Sequence, residues 1–110
     1  MRSEVIEGLT EKFGPPSRKT KKVMAWHMST KYGVVLQLDS PASGEYASVW
    51  LPEDEPELLS TTMDIKLYSE DKGRHSNTHQ TPGLEKGLAV MRAKVTNQQE
   101  LDELLEYLVL

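Results

Sequence analysis

The chain contains no cysteine. Disulfides and thiolate metal sites are therefore excluded, and an intracellular, cytoplasmic setting is the expectation. No apolar run approaches the roughly 18 residues that a membrane span requires, so no membrane partner is expected. The opening Met1-Arg2-Ser3-Glu4 lacks the apolar centre of a signal peptide. Neither a phosphate-binding loop, a dinucleotide fingerprint nor a Ser/His/Asp order is present, and no cofactor is implied. Aromatic residues are scarce at 6%, which gives weight to Trp26 and Trp50. An excess of positive charge is missing too: the net charge is -4, so a nucleic-acid partner would have to be met by charges gathered on one face.

Those charges are segregated along the chain. Arg18, Lys19, Lys21 and Lys22 form a basic cluster, and Glu53, Asp54, Glu55 and Glu57 an acidic one. Glu100, Asp102, Glu103 and Glu106 make the last helix acidic. A length of 110 residues, with 37% hydrophobic and 27% charged residues, suits one folded domain with one modest core over 1–110.

Hydrophobic periodicity gives the element order. Ser3 is a candidate N-cap, and Val5, Ile6, Leu9 and Phe13 recur at helical spacing, which predicts a helix over 4–13 stopped by Gly14-Pro15-Pro16. Residues 15–20 read as an exposed connection. Lys22 to Ser29 alternates as a strand, with Val23, Ala25 and His27 on one face and Met24, Trp26 and Met28 on the other. A turn at 30–33, a strand at 34–39, a loop at 40–45 and a strand at 46–51 follow. Pro52 and Pro56 bracket an acidic connection that cannot pair in a ladder. Met63 to Tyr68 predicts a strand with Met63, Ile65 and Leu67 inward and Asp64 and Lys66 outward. Gly87 to Val95 predicts another, with Ala89, Met91, Ala93 and Val95 on one face and Val90, Arg92 and Lys94 on the other.

Thr96-Asn97 opens the last helix with capping-box spacing to Gln99 or Glu100, and Leu101, Leu104, Leu105 and Leu108 form its apolar stripe. The expected fold is α+β: a five-stranded, mainly antiparallel sheet with an N-terminal and a C-terminal helix packed on one face. The other face would stay open, which leaves room for a homodimer. His27, set in an apolar strand, reads as a buried histidine.

The long polar stretch Tyr68 to Gly83 is the first place to look for function. Lys72, Gly73, Arg74, His75, Ser76 and Asn77 put two cations, an imidazole, a hydroxyl and an amide side by side, and His79 extends the set. An arginine fork fits phosphate or a guanine edge, an asparagine fits adenine, and a serine bonds a phosphate oxygen. Arg18, Lys19, Lys21, Lys22, Arg92 and Lys94 would add phosphate contacts. The competing reading is an ordinary surface loop that bonds to itself. His75 and His79 have a spacing used by helical metal ligands, but Gly73 and Pro82 oppose a helix, so no metal is expected. Asp71 with His75 is the one obvious acid–base pairing, and the balance leans away from an enzyme. Trp26 and Trp50 would stack bases if they project from the open face and would be core if they project toward the helices, the commoner fate of such residues.

In the run Lys72-Gly-Arg-His-Ser-Asn77, followed by Pro82-Gly83-Leu84 and a strand–helix ending, the last third of the chain resembles accessory domains of bacterial restriction-type and HNH-associated proteins. The resemblance implies a DNA-facing module in a host-defence setting, with Arg74, Ser76 and Asn77 touching nucleic acid, more readily DNA than RNA. The net acidity departs from that pattern. A module of this kind would sit beside an enzyme or within a larger parent chain. The alternative is an acidic protein-interaction or inhibitor subunit that docks its last helix and the Glu53–Glu57 segment on a basic partner.

Overall fold

The computed structural model describes residues 1–27, 33–39, 44–54, 56–59, 63–68 and 78–109. Most of the turn expected at 30–33, most of the loop at 40–45 and the centre of the long polar loop fall outside them; Gly33 is the first residue of a strand.

The fold is α+β, with a mixed-order but wholly antiparallel sheet and both helices on one of its faces. In chain order the elements are helix α1 (Arg2–Phe13), strands β1 (Arg18–Lys19), β2 (Val23–His27), β3 (Gly33–Gln37) and β4 (Ala47–Pro52), a 3-10 turn at Pro56–Leu58, strands β5 (Asp64–Tyr68) and β6 (Val90–Val95), and helix α2 (Gln98–Leu108). The sheet has six strands in the order β1-β2-β3-β4-β6-β5, one more than expected. The extra strand is β1, read from sequence as a connection. Two residues are too few to show a period, and β1 exists because Arg18 and Lys19 pair with Ala25 and Met24. The first four strands form a meander, and β6 then inserts between β4 and β5.

The alternation expected for β2 and β6 holds. Met24 and Trp26, Val34 and Leu36, Ala47, Val49 and Leu51, and Met91, Ala93 and Val95 pack with Val5 and Leu9 of α1 and Leu101, Leu104, Tyr107 and Leu108 of α2. Period-2 strands thus bury one side against two helical stripes. Gly8 brings the helices together: a Cβ there would lie 3.2 Å from a Leu105 methyl. Gly14 ends α1 at φ 85°, its N–H bonded to the Thr10 carbonyl, and its own carbonyl accepts from Trp26 Nε1 at 3.0 Å. The helix stop is thereby tied to β2. At the other end, the Asn97 side chain accepts from the Glu100 N–H at 2.9 Å, while the Glu100 carboxylate turns back to accept from the Thr96 N–H and hydroxyl at 2.8 and 2.6 Å. Both halves of a cap are present, shared between Thr96 and Asn97.

Several local expectations are corrected. α1 begins at Arg2, before the Ser3 expected to cap it. Pro52 does enter the ladder, as the last residue of β4 opposite Val90, at a position whose nitrogen owes no hydrogen bond to β6; the next N–H, of Glu53, bonds to the Ala89 carbonyl at 3.2 Å. Residues 87–89 precede β6 instead of opening it. Leu67, expected inward, is 50% exposed, because β5 is an edge strand. His27 is exposed at the end of β2 instead of buried.

Candidate nucleic-acid interface

The face away from the helices, expected to be open, is partly covered by the chain's own segment. Thr81, Pro82, Gly83 and Leu84 form a turn closed by the Leu84 N–H on the Thr81 carbonyl at 3.0 Å, with proline second and Gly83 third at φ 88°. This is the arrangement that a type II turn requires of its two central residues. The Pro82 carbonyl accepts from the Gly33 N–H at 2.7 Å. Leu84 then fills a second apolar cluster with Val23, Ala25, Val35, Trp50 and Val90, against which Tyr68 packs. The proline–glycine pair at the end of the polar stretch therefore works as a clamp that lays Leu84 on the sheet.

Trp50 lies under this clamp and is 3% exposed; its ring is 5.1 Å from that of Tyr68, and its Nε1 donates to Gln37 Oε1 at 3.0 Å. Trp26 is 1% exposed on the opposite, helix-covered face. The strands that carry them are separated by β3, so the two indoles do not share a stacking surface.

Beyond the clamp the same face turns basic. A single cross-strand row runs Arg18, Ala25, Val35, Trp50, Arg92, Lys66 from β1 to β5. The next row over places Ser48, Lys94 and Asp64 side by side. Lys66, Arg92 and Lys94 thus meet on two neighbouring strands about 4.8 Å apart. Lys94 holds its ammonium 4.2 Å from the centre of the Tyr46 ring, and Lys66 holds its own 5.1 Å from that of Tyr68. Attraction to the negative ring face fixes both lysines over aromatic surface. The Arg92 side chain is 25% exposed; one terminal nitrogen lies 4.0 Å from the Asp64 carboxylate, while its buried Nε has no hydrogen-bond partner among the described residues.

Of the residues expected at the interface, Arg92 and Lys94 come together here. Arg18 shares the face but stands four strands from Arg92, about 19 Å at ordinary strand spacing. Lys19 is exposed opposite Met24, and Lys21 and Lys22 are exposed in the turn where Thr20 Oγ1 accepts from the Lys22 and Val23 N–H groups. The N-terminal basic cluster is therefore separate from the β5–β6 patch, with the Leu84 clamp between them. His79 is half-buried beside buried Thr78. Lys72, Arg74, His75, Ser76, Asn77 and Asp71 lie outside the described residues. Lys66, Tyr46 and Tyr68 join this candidate patch without being singled out by the sequence. Lys66 was placed outward on its strand, but its union with Arg92 depends on β6 entering beside β5, which periodicity does not show.

Among the described residues no group of three acidic or histidine side chains could hold a metal ion, and no helix is long and apolar enough to cross a membrane. Comparison with family models finds no match, and neither the curated proteins nor the solved structures include a significant one.

Proposed function

We propose that this domain binds nucleic acid, DNA foremost, through the β5–β6 face together with the adjoining 72–81 loop. The observation that carries the reading is the convergence of Lys66, Arg92 and Lys94 on one face of a chain whose net charge is -4. Lys66 in register with Arg92, and Lys94 two residues along the same strand, offer phosphate contacts from the sheet, with both lysines resting on tyrosine rings. Among the described residues, the acidic neighbour of Arg92 is Asp64, at the limit of ion-pair distance. Lys72, Arg74, Ser76 and Asn77 would supply base and phosphate contacts from the loop, and its likeness to restriction-associated modules is what suggests a host-defence setting in the cytoplasm, beside an enzyme or within a larger chain.

The test is fluorescence anisotropy with labelled oligonucleotides at low salt. Binding should weaken as salt rises, and Lys66→Ala with Arg92→Ala should both lower affinity and flatten the salt dependence, because fewer counterions are released. Loss of affinity in Arg74→Ala with Asn77→Ala would bring the loop into the same interface. Absence of binding at low salt defeats the proposal.

A second reading is favoured by α2, which carries Asp102, Glu103 and Glu106 with no basic residue. On that reading the chain is a protein-interaction or inhibitor subunit. Charge reversal at Asp102 and Glu106, both exposed, would then abolish a stoichiometric complex with a basic partner while oligonucleotides remain unbound.

A further inference from the structure

We infer that the strand form this face takes is single-stranded nucleic acid, with unstacked bases laid on Tyr46 and Tyr68 and phosphates held by Lys66, Arg92 and Lys94. The inference rests on the nucleic-acid reading above and narrows its substrate class.

Three features lead to it. The first is where the helices are. Reading a duplex through its major groove calls for a helix or a two-stranded ribbon that projects into the groove. Here α1 and α2 both pack on the far side of the sheet from the basic patch. The far side is also electrostatically wrong for DNA: α1 exposes Glu4, Glu7 and Glu11, and α2 adds Asp102 and Glu106. A duplex would therefore meet the basic side through a sheet face and loops, with no helix to offer it.

The second feature is the aromatic flank. Tyr46 immediately precedes β4, and Tyr68 ends β5, which runs parallel to β4 with β6 between them. The two tyrosines accordingly stand at opposite ends of the patch, and both are partly exposed. Each ring has an ammonium over it, so a base stacks there by displacing the lysine, which is then free to meet a phosphate. Bases of a single strand stack on such rings whatever their sequence, because every base has a π-face; bases inside a duplex are already stacked and present no face.

The third feature is the spacing of cations between the rings. Arg92 and Lys94 are two residues apart on one strand, and Lys66 lies directly across from Arg92. This gives a compact run of phosphate partners between two stacking positions, in place of the long basic track that follows a duplex backbone. Trp50 is not a platform in this scheme: it is buried, and its ring packs tilted at 44° against that of Tyr68.

The experiment compares a labelled thymidine oligonucleotide of about 15 nucleotides, the matching duplex and an abasic strand of equal length, each titrated with the intact chain at low salt. The single strand should bind about ten-fold or more tightly than the duplex, and the abasic strand should bind as weakly as the duplex. Tyr46→Ala should lower single-strand affinity while leaving the salt dependence unchanged, because stacking releases no counterions. Tyr68→Leu keeps apolar cover over Trp50 and should do the same, with circular dichroism to verify folding. Equal or tighter duplex binding, or an abasic strand that binds as well as the thymidine strand, overturns the inference and leaves the broader reading standing. If none of the three binds, the broader reading falls and takes this one with it.

Discussion

Gly33 and Thr81 are in such close contact that a Cβ built on Gly33 would lie 2.0 Å from the Thr81 side-chain methyl. The same Cβ would sit 3.1 Å from the Trp26 carbonyl, so it has backbone on one side and a fully buried threonine on the other. Gly33→Ala should therefore lift the clamp from the sheet instead of being absorbed. The expected cost is about 2 kcal/mol or more, in the range of overpacked cores, read from urea unfolding. Tryptophan fluorescence should report increased solvent access to Trp50 in the folded variant. An unchanged midpoint would mean that the contact relaxes freely.

Leu84→Ala tests the clamp from its apolar end. Leu84 is fully buried among Val23, Ala25, Val35, Trp50 and Val90. Its truncation should cost about 2–4 kcal/mol by the usual penalty for a leucine-sized void. Because the lost contacts lie on the face away from the helices, far-ultraviolet helicity at low denaturant should be unchanged. Loss of helicity there would show that the two faces do not open separately.

Asn97→Ala removes the acceptor for the Glu100 N–H at the start of α2. About 1 kcal/mol should be lost, as for other N-caps. Asn97→Asp preserves the acceptor and adds charge favourable to a helix N-terminus, so it should restore the stability measured by thermal unfolding.

Asp64→Asn bears on the basic face. Its carboxylate is cross-strand from Lys94 and 4.0 Å from Arg92, yet the side chain is 63% exposed. An ion pair that open adds little to stability, so the unfolding midpoint should hardly move. Removing the negative charge from the middle of three cations should raise oligonucleotide affinity several-fold at low salt, and the gain should shrink as salt screens it. Affinity that is unchanged at every salt concentration would place the ligand elsewhere.

Much of the architecture was legible because strand faces and helical stripes are written at fixed periods. Met24 and Trp26 fall on the opposite face from Val23 and Ala25 as the two-residue repeat requires, and Leu101, Leu104 and Leu108 face the sheet as spacing predicts. What periodicity does not encode is which strand lies beside which. β1 has two residues and depends on β2 for its existence, and the order β4-β6-β5 is a non-local choice. Leu67 is exposed against expectation for that same reason, because β5 lies at the edge; Lys66 points outward as its spacing predicts, but only the pairing with β6 gives it Arg92 as a companion. The site was half legible. Arg92 and Lys94 could be read as sharing a face from their spacing alone, but Trp26 and Trp50 could not be assigned to opposite sides without knowing where the helices pack.

The insertion of β6 between β4 and β5 has a consequence for biogenesis. Both of its neighbours are made earlier, and neither β4 nor β5 has another partner on the flank it shares with β6. As the chain leaves the ribosome, the β1–β4 sheet keeps a raw edge at β4, and β5 has no strand to pair with, until about residue 95 emerges. Closure then comes in one late step that covers the β4 edge and docks β5, so nascent chains halted before that point should be far more prone to aggregation than their length alone would suggest.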